Sequence, residues 1–126
     1  MTESPTLSIV DDDELVRRSL KRVIGASGYR VEAFCSAEAF LDSRLDECDC
    51  LILDVQMPGI NGLELQRRLL AQNVHFPIIF MTAQSDESAK VRALEAGAID
   101  YLFKPFKEDQ LLNAIHEAIA VAGGES

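Results

Sequence analysis

Short runs of β-type residues alternate with longer stretches of helical spacing along the whole chain, and the switches fall at Gly, Pro and polar clusters. That alternation predicts a parallel α/β fold, because parallel strands need helical crossovers between them. The first strand is expected over Leu7–Val10, followed by a helix from about Glu14 to Ser27 with Val16, Leu20, Val23 and Ile24 on one face and Gly28 just past its end. A second strand, Arg30–Phe34, leads to a helix N-capped by Ser36 that carries Ala37, Phe40 and Leu41. The third, Cys50–Leu53, is apolar on both faces, as a central parallel strand must be, and runs into Asp54 before Met57-Pro58-Gly59 breaks the chain. A helix over Gly62–Gln72 and a strand over Pro77–Met81 follow. A fourth helix begins after Ser85 and ends near Ala96-Gly97; its apolar stripe of Val91, Leu94 and a few alanines is thin. A strand over Asp100–Phe103 and a last helix from about Lys107 to Val121, with Leu111, Ile115, Ala118 and Ile119 inward, complete five βα units.

At 126 residues and 48% hydrophobic, the chain suits one domain with a core that needs no disulfide or structural metal. The formal net charge of −9 has the wrong sign for a protein steered onto phosphate backbones, so the chain itself is not expected to bind DNA. The N-terminal residues lack a basic leader, and no apolar run approaches the ~20 residues that span a bilayer; a cytoplasmic protein without membrane contact is expected. Cys35, Cys48 and Cys50 have neither the spacing nor the partners of a zinc site and read as reduced thiols. His75 and His116 are single and far apart, which argues against a metal or triad role.

In a doubly wound sheet, functional groups collect beyond the carboxyl ends of the strands. Here those ends carry Asp11, Asp12 and Asp13 after strand one, Asp54 after strand three, Thr82 after strand four and Lys104 after strand five. Taken singly, the aspartate run suits a helix N-terminus and Lys104 before Pro105 suits a turn. Four strand ends in one register point further. Clustered carboxylates repel and must be separated, protonated or neutralised, and an all-oxygen set suits a hard divalent cation, Mg²⁺ first and Mn²⁺ as its substitute. A hydroxyl, an ammonium and a metal around one carboxylate form a cradle for a phosphoryl group, with Asp54 as nucleophile.

Val10-Asp11-Asp12-Asp13-Glu14, Leu53-Asp54-Val55-Gln56-Met57-Pro58-Gly59-Ile60-Asn61-Gly62, Met81-Thr82-Ala83 and Tyr101-Leu102-Phe103-Lys104-Pro105-Phe106 stand in an order and spacing that resemble the receiver domain of bacterial two-component response regulators. The resemblance spans essentially the whole chain. It implies a single doubly wound (βα)5, flavodoxin-like fold with a five-stranded parallel sheet in the order 2-1-3-4-5, a receiver over residues 1–121 and a tail or linker start over 122–126. It implies that Asp54 is the phosphoacceptor and that Asp11, Asp12, Asp54 and the backbone carbonyl of Gln56 hold Mg²⁺, with Asp13 turned to solvent. Thr82 and Lys104 would each take a phosphoryl oxygen, small Ala83 would leave room beside it, Tyr101 would be the switch aromatic, and Lys104-Pro105 would be cis. The implied partners are a sensor histidine kinase and, on phosphorylation, a second copy of the chain meeting through the face of helix four, strand five and helix five.

The competing enzyme class, a haloacid-dehalogenase-type phosphatase, also uses an Asp after an apolar strand but places a second Asp two residues later as general acid; here that position is Gln56. Gly59-Ile60-Asn61-Gly62 lacks both the dinucleotide fingerprint and the P-loop lysine. A receiver-like module that acts by docking alone is a third class, disfavoured because every acceptor group is present. Asp11 through Leu20 and Ser36 through Leu41 look like the FixJ-type receivers that precede a helix-turn-helix output, so the chain is expected to be such a regulator cut before its DNA-binding part, or else a stand-alone receiver. Gln56 and Gln84, two residues beyond Asp54 and Thr82, occupy positions where that family tunes phosphoryl lifetime.

Overall fold

The computed structural model describes residues 4–83 and 86–122. The expectations placed on Gln84, on Ser85 and on the tail at 123–126 lie outside the described residues. Strands β1 (Thr6–Val10), β2 (Arg30–Phe34), β3 (Cys50–Asp54), β4 (Ile78–Thr82) and β5 (Asp100–Phe103) alternate with helices α1 (Glu14–Ala26), α2 (Ala37–Leu41), α3 (Gly62–Ala71), α4 (Glu87–Glu95) and α5 (Glu108–Ala122). A turn of 3₁₀ helix at Leu45–Glu47, absent from the sequence expectation, leads into β3. The strands form one parallel sheet in the order β2-β1-β3-β4-β5. The fold expected from the sequence and from the resemblance is the fold observed.

All five residues of β3 and all five of β4 are buried, which explains why these runs read as continuously apolar. Their side chains alternate between two layers. Leu51 and Leu53 pack with Phe40 of α2, Leu65 and Leu69 of α3 and Ala89 and Ala93 of α4. Cys50 and Ile52 face the opposite way, toward Leu20 and Ile24 of α1 and Leu111 and Ile115 of α5. Ser36, Asn61 and Asp86 cap α2, α3 and α4, each accepting from the backbone N–H three residues on, and Gly28 and Gly97 take positive φ just beyond α1 and α4. Cys48 and Cys50 are buried and Cys35 is exposed, all as free thiols. Among the described residues no helix is long and apolar enough to cross a membrane.

Helix α4 departs from expectation. Its buried face is Ala89 and Ala93, whereas Val91 and Leu94 are 50% and 39% exposed. Among the described residues the helix buries two methyl groups, sets the Lys90 ammonium over the Phe103 ring of β5 at 5.6 Å, and is tied to α3 by the buried Gln66 side chain, which donates to the carbonyl of Ala93 at 3.2 Å. Ile119, expected to face inward on α5, is only partly buried, while Ala114 joins the core.

Gly25, in the last turn of α1, has open space around the position a methyl group would take. Gly25→Ala is expected to stabilise the protein by about 0.5 kcal/mol, since alanine restricts the unfolded chain and favours helix. A higher urea midpoint at unchanged m-value would register the gain, and a lower midpoint would contradict it.

Candidate phosphoryl and cation site

The order of the sheet reverses between β1 and β3, and the site lies at the carboxyl ends of those two strands. Asp11 follows β1 and is fully buried; Asp54 is the last residue of β3 and 6% exposed; Asp12 is exposed. Each of the three puts one carboxylate oxygen within 4.8 Å of the others. Thr82, the last residue of β4, is fully buried beside them, and Lys104 follows β5 directly. The structure thus brings Asp11, Asp12, Asp54, Thr82 and Lys104 to one edge of the sheet, and of the strand-end residues only Asp13 stands apart. The Lys104-Pro105 peptide is cis.

The lysine ammonium donates to Asp11 Oδ2 at 3.0 Å and lies 3.9 Å from Asp54 Oδ2. Asp11 uses its other oxygen, Oδ1, to accept from the backbone N–H of Asp13 at 2.8 Å, while Asp54 Oδ1 accepts from the backbone N–H of Gln56 at 3.3 Å. Burial pushes the Asp54 carboxyl up to about 6, and the Asp11 charge adds to the rise; Lys104 and the Gln56 N–H pull the other way without cancelling it. One ammonium is too little positive charge for two buried carboxylates and a third at the rim.

That deficit is the test of fit for a divalent cation, and the donors pass it. All are carboxylate oxygens, and opposite ligands of an ion with bonds of ~2.1 Å lie roughly 4.2 Å apart, close to the observed spread. The backbone carbonyl of Gln56 lies two residues beyond Asp54, at the start of the loop that bounds this pocket.

Asp13 is exposed, as expected, and it also serves the fold by capping α1, accepting from the Leu15 N–H at 2.9 Å. Tyr101 lies on β5 with 3% of its surface exposed, against Phe80 and Phe103, and its hydroxyl is buried with no hydrogen-bond partner among the described residues. His75 is exposed and bonds Asn73, and His116 is exposed on α5, so neither joins the site.

Two contributors, Arg17 and Gly62, were not expected from the sequence, and Gln56, expected to tune phosphoryl lifetime, makes a contact that was not foreseen. Arg17 of α1 donates from Nη1 to the backbone carbonyl of Asp11 at 2.8 Å, fixing the loop that carries two of the carboxylates. The Gln56 side chain accepts the Thr82 hydroxyl proton, Oγ1 to Oε1, at 2.6 Å. Gly62 donates to the carbonyl of Val55 at 3.0 Å and lets the start of α3 press against the end of β3. Only Gly62 had a local signal, a glycine opening a helix where alanine would be preferred.

A family model for the response regulator receiver domain matches residues 7–116. The response regulator protein TmoT of Ectopseudomonas mendocina is 44% identical over 121 residues, 95% of this chain and 55% of that protein. The transcriptional regulatory protein FixJ of Bradyrhizobium diazoefficiens is 40% identical over 123 residues, 97% of this chain and 60% of its own length. The chain thus spans little more than half of these relatives. Among solved structures, the response regulator StyR superposes with a TM-score of 0.90 at 43% identity, covering 96% of this chain and 62% of the other. The N-terminal portion of FixJ superposes at 0.83 with 37% identity, covering 94% and 95%.

Proposed function

The chain belongs to the response regulator receiver domain family, and from that premise we propose that Asp54 accepts a phosphoryl group from a phosphohistidine on a sensor kinase. The observation that carries the reading is the convergence of Asp11, Asp12, Asp54, Thr82 and Lys104 on one sheet edge. An Asp54 carboxylate oxygen attacks phosphorus; the P–O bond of an acyl phosphate forms as the P–N bond to the donor imidazole breaks, and the imidazole leaves with the bonding pair. Asp11, Asp12, Asp54 and the Gln56 carbonyl would hold Mg²⁺, which supplies positive charge against the oxygens of carboxylate and phosphate. Lys104, now on Asp11, would turn its ammonium to one phosphoryl oxygen, and Thr82 would donate to another. Gln56 offers no ionisable proton to a leaving group, which favours acceptance over turnover of many esters.

Residues 1–121 form the receiver in this reading, and 122–126 are a tail or the beginning of a linker. By likeness to FixJ, the output is transcriptional and would lie beyond this sequence. The new charge would draw Thr82 inward, let Tyr101 respond and reshape α4 and β5, where Val91 and Leu94 already face solvent and would meet a second copy. The thin buried face of α4, Ala89 and Ala93 with Gln66 and the Lys90–Phe103 contact beside them, suits an element that moves.

Incubation with acetyl phosphate and Mg²⁺ tests the function. A base-labile phosphoryl adduct at Asp54 is expected by mass spectrometry, lost on chelation of the metal, with sedimentation shifting toward a dimer as it forms. No adduct would sink the phosphoacceptor reading, and an adduct without dimer would remove the self-association.

A further inference from the structure

We infer that the Gln56 side chain is a latch on the resting state, competing with the phosphoryl group for the hydroxyl proton of Thr82. The inference deepens the reading that Asp54 accepts phosphate and rests on it. Thr82 Oγ1 donates to Gln56 Oε1 at 2.6 Å, a short and well-formed bond between the end of β4 and the loop after β3. A hydroxyl has one proton to give. For Thr82 to donate to an oxygen on phosphorylated Asp54, the bond to Gln56 must break.

The geometry assigns the two ends of the latch unequal freedom. Thr82 is fully buried and held by the strand, its own carbonyl accepting from the Lys104 N–H at 2.7 Å. Gln56 is exposed, and its backbone is fixed by the N–H bond to Asp54 Oδ1, so its side chain reaches back over the site from the solvent side. On release, the amide turns to water at little cost, while the proton of the buried hydroxyl becomes available to the phosphoryl oxygen. The latch therefore sets a threshold: phosphate binding is weakened by the net worth of one hydrogen bond, and the resting site is kept in a single arrangement. A non-hydrogen-bonding side chain at position 56 lifts that cost.

The test uses beryllofluoride with Mg²⁺, a phosphoryl mimic that is not hydrolysed, so that ordering of attacking water at Gln56 does not enter the readout. By titration calorimetry, Gln56→Leu is expected to bind it roughly two- to tenfold more tightly than the parent, the range that one net hydrogen bond supplies. Gln56→Ala carries the same expectation with less apolar surface. In a Thr82→Ala background, the Gln56 substitution is expected to have no effect, because the proton under competition is gone. Equal or weaker binding by both Gln56 variants overturns the latch while leaving the phosphoacceptor reading intact. Tighter binding that persists in Thr82→Ala overturns it as well, since Gln56 would then act without Thr82. Failure of the parent protein to bind the mimic at all overturns both.

Discussion

Asp54→Asn is expected to abolish the acetyl phosphate adduct and, in magnesium-free buffer at pH 7.5, to make the fold more stable. The first outcome follows from losing the nucleophile, since an amide oxygen does not form an acyl phosphate that persists. The second follows from the environment of the carboxyl, whose burial and proximity to Asp11 raise it from 3.8 to about 6. A carboxyl raised in the folded state holds its proton there more tightly than in the unfolded chain. Between about pH 4 and pH 6 the native state therefore binds more protons, and stability falls as pH rises through that window. Above it the full cost of a buried, under-neutralised charge is present; below it the cost is absent.

Asparagine removes the charge at constant shape and keeps an oxygen for the Gln56 N–H, and Lys104 retains Asp11 at 3.0 Å. A shift of that size corresponds to ~3 kcal/mol at face value, and solvent relaxation at the pocket mouth reduces it to about 1–2 kcal/mol. For a chain of this length the melting temperature is expected to rise by roughly 4–8 °C at pH 7.5. The gap should close toward pH 4, and also as Mg²⁺ is added, because the ion binds and stabilises the parent preferentially. Thermal melts across that pH range with a chelator present check the sign. An Asp54→Asn protein no more stable than its parent at pH 7.5 would mean that Asp54 carries no electrostatic strain.

The pattern of what could be read in advance has a physical basis. Strands β3 and β4 were legible because two-sided burial leaves no room for polar residues, so their last residues, Asp54 and Thr82, stood out against an apolar run. The cap at Ser36 was legible because N-capping is local and chemical. Helix α4 was misread in its details because large apolar residues were taken to mark the buried face, whereas close helix–sheet approach there selects alanine and leaves Val91 and Leu94 outside. Arg17 was not legible as a site residue, and Gln56 was legible by its position two residues beyond Asp54 but not by its bond to Thr82. Each acts through one hydrogen bond whose partner is set by chain tracing in three dimensions, and neither residue type is unusual where it stands. Carboxylates at strand ends announce chemistry; the groups that hold them in place do so only once the loops are built.

Gly62→Ala should show how tightly the site depends on those loops, because here a single methyl group meets only backbone. Placed on the observed chain, its Cβ lies 2.5 Å from the carbonyl oxygen of Asp54, 3.0 Å from Val55 Cα and 3.1 Å from the Asp54 carbonyl carbon. No side chain can rotate away to relieve the overlap. Either the start of α3 withdraws, weakening the Gly62 N–H bond to Val55, or the end of β3 shifts and takes the Asp54 carboxylate with it. Overpacking of this kind costs ~1–3 kcal/mol or more, against less than about 1 kcal/mol gained from the better helix propensity of alanine. We expect a net loss near 2 kcal/mol in urea denaturation at unchanged m-value, opposite in sign to Gly25→Ala on the same scale. The rate of adduct formation at fixed acetyl phosphate should fall at least about tenfold, since a displacement approaching 1 Å at a reacting group costs on the order of a hundredfold. If stability falls while the rate holds, α3 has moved and β3 has not, and the carboxylate is anchored by the sheet alone. If both are unchanged, the close contact between the start of α3 and the end of β3 plays no part in positioning Asp54.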